Sequence, residues 1–123
     1  MSENNKGKCI LIYEDDPEIL LLCKTIFLKS EYKVAALSRC ENVIADIEML
    51  KPDLILIDLW IPEIGGEQAI SIIKENPVTT HIPVLLFSAN ADIKEICKKL
   101  NAEGYIEKPF DIHTLKSTIE QHI

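Results

Sequence analysis

Four apolar runs of the sequence are each followed by side chains that can take part in phosphoryl transfer. These side chains are Glu14 and Asp15 after the first run, Asp58 after the second, Ser88 after the third and Lys108 after the fourth. Burying a carboxylate such as Asp58 at the tip of an apolar strand costs free energy unless a partner compensates its charge. The combination of carboxylates, a hydroxyl and a cation indicates phosphoryl transfer onto Asp58.

The three carboxylates predict a magnesium site. At ~4 Å and an effective dielectric of ~20, each pair of carboxylates would repel by roughly 4 kcal/mol, so a cation must join them. Mg²⁺ prefers oxygen ligands and keeps several waters. Asp15 and Asp58 would be direct ligands, and Glu14 would bind through a water. The backbone carbonyl of Trp60 would add a further ligand.

With the metal in place, an oxygen of Asp58 could attack a phosphorus in line, because carboxylates form covalent phosphoryl intermediates. Catalysis of such a step is mainly positioning and charge stabilisation. Lys108 would neutralise one phosphoryl oxygen and Ser88 would donate a hydrogen bond to another. Each residue alone has an ordinary explanation as a turn or strand end, and Asp16 before Pro17 is interpreted as a helix cap. The functional interpretation depends on their joint occurrence.

Apolar, strand-like runs alternate five times with segments of helical periodicity. Strands that are apolar along their whole length are buried on both faces, which indicates a parallel sheet covered by helices. Right-handed crossovers make this an α/β fold with a doubly wound sheet, whose ligands bind at the carboxyl ends of the strands. The expected strands are residues 9–13, 33–37, 53–57, 84–87 and 103–107.

Capping signals and hydrophobic spacing predict the helices and their buried faces. The capping signals are Asp16 before Pro17, a Ser38–Glu41 capping box, Gly65 and Gly66 before the third helix, Asn90 or Asp92, and Asp111. The residues expected to face the sheet include Ile19, Leu22, Cys23 and Ile26 in the first helix, and Ile112, Leu115 and Ile119 in the last.

The length of 123 residues fits one domain, and we expect residues 1–123 to form it, with residues 1–7 as a polar N-terminal tail. The net charge of -7 argues against direct binding of nucleic acid, which needs clustered Lys and Arg. No secretion signal or apolar span of ~20 residues is found, so we expect a cytoplasmic protein without membrane insertion. The four cysteines lack C-x-x-C spacing and indicate reduced core thiols.

These segments closely resemble the receiver domain of two-component response regulators over essentially the whole chain. Residues 10–17 resemble the first strand and acidic pair of the family, and residues 58–66 resemble its phosphoacceptor segment. Residues 83–89 match the strand that ends in the switch hydroxyl, and residues 104–110 match the lysine–proline signature. The resemblance implies the flavodoxin-like receiver fold, with a five-stranded parallel sheet in the order 2-1-3-4-5 and five helices.

The resemblance also implies a function. Asp58 would accept a phosphoryl group from a histidine kinase or phosphotransfer protein with Mg²⁺, and would lose it slowly by self-catalysis, with no other enzyme activity. The Lys108–Pro109 peptide would be cis. Phosphorylation would draw Ser88 inward and let Tyr105 follow, although Tyr105 has the alternative of a half-buried packing role. The fourth helix, fifth strand and fifth helix would then bind a downstream protein target.

Several positions depart from the family pattern. Trp60 could shield an acyl phosphate from water or pack over its loop, and Asn90 could orient an attacking water. Ile61 replaces the usual methionine and should be harmless. Gly65 stands where a polar residue is common and could loosen the loop.

Two alternative functions remain open. A pseudo-receiver, which binds partners without phosphorylation, is disfavoured by the intact set of acceptor, acidic pair, hydroxyl and lysine. A phosphatase with an aspartyl nucleophile generally needs a second carboxylate as general acid, and Trp60 occupies that position. Because no DNA-binding segment follows the fifth helix, we expect output through binding to another protein.

Overall fold

Parallel strands and helices alternate along the chain in a computed structural model that describes residues 7–30, 32–60 and 65–123. The elements are β1 Cys9–Tyr13, α1 Pro17–Leu28, β2 Lys33–Leu37, α2 Val43–Leu50, β3 Leu54–Asp58, α3 Gly66–Glu75, β4 Val84–Ser88, α4 Ile93–Leu100, β5 Gly104–Glu107 and α5 Ile112–His122. The strands pair in parallel in the order β2-β1-β3-β4-β5. The predicted doubly wound sheet and its strand order are confirmed.

The sheet separates two apolar layers. Side chains of α2, α3 and α4 pack on one face, and those of α1 and α5 pack on the other. Alternate residues of each strand enter opposite layers, as Leu11 and Ile12 do in β1. The central strand β3 is buried along its whole length, which is the reason for its continuous apolar sequence.

Asp58 and Ser88 lie within the strands and do not follow them. β3 runs to Asp58 and β4 runs to Ser88, each one residue further than predicted. Asp53 lies just before β3, where its carboxylate accepts a hydrogen bond from the backbone N–H of Cys9 at 2.8 Å. β5 begins at Gly104. The acceptor and the hydroxyl therefore occupy the last ladder positions of two neighbouring strands.

Aspartates cap the first and last helices as predicted. Asp16 accepts from the backbone N–H of Glu18 at 2.9 Å, and Asp111 accepts from that of Thr114 at 2.6 Å. Asp92 lies at the N-cap of α4 and its side chain makes no capping hydrogen bond.

The predicted Ser38–Glu41 capping box is wrong. α2 begins at Val43 with Asn42 at its N-cap, and Glu41 forms an ion pair with Arg39 instead of reaching back to Ser38. The physical reason lies in Cys40, which is buried in the core between these residues. The chain must leave the strand in an irregular turn to place this thiol, and the helix starts only after it.

Two residues predicted to face the sheet are exposed. Leu22 is 39% exposed and Ile112 is 53% exposed. The buried stripe of α1 is centred on Cys23, Ile26 and Phe27, so that Leu22 falls at its edge. Leu22 and Ile112 both line a groove between α1 and α5. They are surface apolar residues of one groove rather than core residues.

Three cysteines are buried, Cys9 is partly buried, and all four are in the reduced form. Within the described ranges, none of the helices has the length and apolar character needed to cross a bilayer. Residues 1–6 of the predicted tail and residues 61–64 of the acceptor segment, including Ile61, lie outside the described residues.

Candidate functional site

Asp58, the predicted phosphoacceptor, lies at the carboxyl end of the central strand and is only 4% exposed. Its Oδ1 atom accepts a hydrogen bond from the backbone N–H of Trp60 at 2.9 Å. Its Oδ2 atom accepts one from Nζ of Lys108, also at 2.9 Å. The charge of this buried carboxylate is therefore compensated by a cation and a backbone amide, which answers the cost of burying it.

The acidic residues after β1 differ in their surroundings. Glu14 is fully buried, and its two oxygens accept hydrogen bonds at 3.0 Å from Nζ of Lys108 and from the backbone N–H of Asp16. Asp15 is exposed. Oxygen atoms of Glu14, Asp15 and Asp58 lie within 4.8 Å of one another. The structure thus brings the three predicted ligand side chains together.

The ionisation of this cluster shows a shortage of positive charge. Burial, reinforced by the contact with Asp58, raises the pKa of Glu14 to about 7. Burial lowers the pKa of Lys108, but its hydrogen bonds to Asp58 and Glu14 outweigh this effect, and the pKa is raised overall. One ammonium group does not neutralise all the carboxylates, and an additional hard cation with oxygen ligands would suit this donor set.

Lys108 is held by more than carboxylates. Its Nζ atom lies 4.6 Å from the ring centroid of Phe87, and its backbone N–H donates to the carbonyl of Ser88 at 2.9 Å. The Lys108–Pro109 peptide is cis, as the resemblance implied. The sequence did not predict the contact with Phe87, because the two residues are 21 positions apart in the chain and only the folded sheet brings them together.

Ser88 and Tyr105, the predicted switch residues, lie on adjacent strands. Ser88 is fully buried and its Oγ atom accepts a hydrogen bond from the backbone N–H of Asn90 at 3.0 Å. Tyr105 is partly buried, is paired in register with Leu86 and packs against the core layer of α2, α3 and α4. The Oδ1 atom of Asn90 accepts from the backbone N–H of Asp92 at 2.8 Å, so this side chain shapes the start of α4.

Gly66 brings the first turn of α3 against the acceptor strand. A Cβ atom at this position would lie 2.3 Å from the carbonyl oxygen of Asp58 and 2.8 Å from Cα of Leu59. The backbone N–H of Gly66 donates to the carbonyl of Leu59 at 3.2 Å. Only a residue without a side chain allows this approach, whereas the sequence identified the two glycines simply as preceding a helix.

Exposed apolar side chains lie near the site. Trp60, whose backbone N–H binds Asp58, is 70% exposed. A second groove next to the site shares Leu22 with the α1–α5 groove and is lined by Ile19, Leu22, Ala89, Lys108, Pro109 and Phe110. This apolar surface was not predicted, because Leu22 was assigned to the core.

A lysine shared by two carboxylates at the carboxyl edge of a sheet ordered β2-β1-β3-β4-β5 defines the class of flavodoxin-like receiver domains. The chain belongs to the response regulator receiver domain family of two-component signalling, whose sequence model matches residues 10–120.

Known proteins similar to this chain agree with that assignment. A Vibrio cholerae protein named "Probable cyclic di-GMP phosphodiesterase" is 34% identical in an alignment 127 residues long. The alignment covers 100% of this chain and 28% of that protein. The transcriptional regulatory protein KdpE of Staphylococcus aureus is 33% identical over 112 residues, covering 89% of this chain and 47% of that protein. The chain thus spans less than half the length of either relative.

A solved structure supports the fold independently. It is the receiver domain of the sensor histidine kinase PA1611 from Pseudomonas aeruginosa, which has a magnesium ion coordinated in its active-site cleft. That domain superimposes with a TM-score of 0.84 at 24% sequence identity, and the match covers 94% of this chain and 97% of the other.

Proposed function

We propose that residues 1–123 form a single phosphoacceptor receiver domain, which takes a phosphoryl group onto Asp58 from a histidine kinase or phosphotransfer protein. The observation that carries this proposal is the sharing of one ammonium group, that of Lys108, by Glu14 and Asp58 within reach of Asp15. A structural ion pair needs one carboxylate. Two carboxylates on one lysine at a strand end, with the oxygen of a third carboxylate within 4.8 Å of them, are arranged for a ligand that brings further positive charge.

Mg²⁺ is the cofactor that this donor set fits. Glu14, Asp15 and Asp58 would hold it, together with the backbone carbonyl of Trp60. When bound, the ion would neutralise carboxylate charge and polarise the oxygens of the incoming phosphoryl group. The magnesium ion in the receiver domain of PA1611 supports this assignment by similarity.

The residues of the chain itself supply positioning and charge. The Trp60 amide holds Oδ1 of Asp58, so that the carboxylate keeps one orientation. Lys108 would pair with a phosphoryl oxygen once that oxygen replaces a carboxylate as its partner. Because Oγ of Ser88 already accepts from Asn90, its own proton can be donated to another phosphoryl oxygen.

The deciding experiment is incubation with acetyl phosphate and MgCl₂, followed by intact mass spectrometry. We expect the wild-type chain to gain one phosphoryl group and Asp58→Asn to gain none. Asp92→Asn is the matched control, because this exposed aspartate makes no capping hydrogen bond, and it should be phosphorylated like the wild type. If neither acetyl phosphate nor a kinase modifies Asp58, the chain acts as a binding module instead.

The signal would leave through α4, β5 and α5. We propose that phosphorylation draws the hydroxyl of Ser88 toward Asp58 and that Tyr105 follows it. A partly buried aromatic at an edge strand can change its packing without opening the core, which supports Tyr105 in this role. The two packings would differ in their affinity for a downstream protein target, so that phosphorylation shifts the population between them.

The proposal includes no activity toward other substrates. The phosphodiesterase name of the Vibrio cholerae relative belongs to a protein of which this chain covers 28%. The negative charge of the chain disfavours direct contact with nucleic acid. Four reduced cysteines accord with a reducing compartment such as the cytoplasm.

A further inference from the structure

Among the residues that the structure describes, the ammonium group of Lys108 contacts three groups. Two are carboxylate oxygens, Oε1 of Glu14 at 3.0 Å and Oδ2 of Asp58 at 2.9 Å. The third is the aromatic face of Phe87, with its centroid 4.6 Å from Nζ. This distance is within the ~6 Å over which a cation is attracted by the negative face of an aromatic ring.

Phe87 is a rigid support. It is fully buried, and it lies in β4 directly opposite Asp58 in the register of the sheet. Phe110 packs against its ring in an edge-to-face arrangement, with centroids 6.1 Å apart and the planes at 66°. The contact with Phe110 fixes the orientation of the Phe87 ring, and Phe87 alone of the two rings lies under the ammonium group of Lys108.

We propose that Phe87 is a positioning residue that holds the ammonium group of Lys108 over Asp58 by a cation–π contact. Phosphorylation would convert the carboxylate of Asp58 into an acyl phosphate, and a bound Mg²⁺ would compensate the charge of both carboxylates, so neither is a constant partner of Lys108. The ring is the one neighbour of the three whose charge does not change. It keeps the ammonium group at the site while Lys108 exchanges a carboxylate oxygen for a phosphoryl oxygen.

This inference rests on the proposed phosphorylation of Asp58, but the contact itself can be tested without it. Fluorination of a phenylalanine ring weakens the negative potential of its face and changes its shape little. A series of mono-, di- and trifluorophenylalanine placed at position 87 therefore separates the electrostatic contribution of the ring from its packing. Phe27 is the matched control, since it is fully buried in the same layer and makes an edge contact with Tyr32.

The first measurement is the rate constant of Asp58 phosphorylation by acetyl phosphate with MgCl₂, followed by intact mass. We expect the rate to fall stepwise with each fluorine at position 87, by about two- to thirtyfold over the series, with no trend at position 27. A rate that is independent of fluorination at position 87 would overturn the proposal, because a packing role alone predicts that result.

The second measurement is the NMR signal of the Lys108 ammonium group, which needs no phosphorylation. We expect the signal to be shifted by the ring in the wild type and to broaden through faster proton exchange as fluorines are added at position 87. Phe87→Leu should lose the shift while Phe110→Leu keeps it. If the wild-type chain is not phosphorylated but these shifts follow the ring, the proposed function fails and the positioning contact stands. Unchanged Lys108 signals throughout the series would refute the contact.

Discussion

Two carboxylates and one ammonium group share a buried space where β1 and β3 end. Glu14 and Asp58 both bind Lys108, so the ionised cluster carries an uncompensated negative charge. The raised pKa of Glu14, about 7, is the response of the metal-free protein, which can take up a proton in place of a cation. We therefore expect the protonation state of Glu14 to differ between the protein with and without a bound cation.

Glu14 makes the stability of the metal-free protein depend on pH. The folded-state pKa of about 7 lies above the ordinary value of 4.5, so the protonated carboxyl group of Glu14 stabilises the folded protein fully below pH 4.5. This stabilisation is lost as the pH rises through about 7. Mg²⁺ should offset the loss, because the proposed metal site consists of the ionised carboxylates. Thermal unfolding should therefore show a larger increase in Tm with MgCl₂ at about pH 8 than at about pH 5.

Glu14→Gln is the control for this pH dependence. It removes the titrating carboxyl group and should flatten the change in metal-free Tm over the same range, whereas Glu75→Gln, in an exposed position, should leave the change intact. Equal Mg²⁺ effects at the two pH values in the wild type would contradict the prediction.

Trp60 should affect how long Asp58 stays phosphorylated. Its indole is 70% exposed beside the acceptor, where it can obstruct the approach of water. We expect Trp60→Ala to shorten the half-life of the phosphoprotein by up to about fivefold, and Trp60→Phe to shorten it less. The measurement is the decay of phosphoprotein after removal of the donor, and identical decay in all three proteins would disprove the shielding role.

For helices and strands, the sequence predicted those features that depend on residues close together in the chain. The Asp16 and Asp111 caps and the five strands were predicted because capping and apolar runs depend on neighbouring residues. The capping box at Ser38 failed because burial of Cys40 is a tertiary demand that outweighs local preference. Phe87 could not be assigned to Lys108 for the same reason, since the contact joins β4 to the residue that follows β5.

The junction of β3 and α3 offers a sharp test of an element-level constraint. We expect Gly66→Ala to destabilise the fold by about 1–3 kcal/mol or more, because its Cβ atom would overlap the backbone of Asp58. Gly65→Ala is the matched control. A Cβ atom there makes only an ordinary contact of 3.7 Å, and the cost should be about 0.5 kcal/mol.

Urea unfolding measures both glycine variants, and Asp58 phosphorylation of the folded fraction shows whether the acceptor has moved. Equal stability losses at positions 65 and 66 would mean that the close approach in the structure does not constrain the junction.

For the whole molecule, the hydrophobic pattern indicated a doubly wound sheet, but the strand order came from the family resemblance. Continuous apolar runs say that strands are buried and do not say which strands are neighbours. The hydrophobic pattern also did not predict the grooves beside the site. Helical periodicity placed Leu22 and Ile112 in the core, whereas both are exposed and line the groove between α1 and α5.

These grooves predict how a protein phosphodonor docks. We expect Leu22→Glu to lower phosphotransfer from a histidine-phosphorylated protein at least about fivefold, because the charge would enter an apolar contact beside Lys108. Transfer from acetyl phosphate, which needs no docking surface, should be unchanged. Leu28→Glu, in a residue 73% exposed on the same helix, should behave like the wild type with both donors.

Parallel rate measurements with the two donors check this docking prediction. Loss of transfer from acetyl phosphate as well would place Leu22 in the reaction site rather than on a docking surface.

The hydrogen bond between the Trp60 amide and Asp58 has a practical consequence. Trp60 is the only tryptophan in the chain, so its emission comes from a single, solvent-facing fluorophore two residues from the acceptor. A change in charge at Asp58 alters the electric field at this fluorophore. The protein therefore carries its own optical probe, and stopped-flow fluorescence should follow the proposed metal binding and phosphorylation in unlabelled protein.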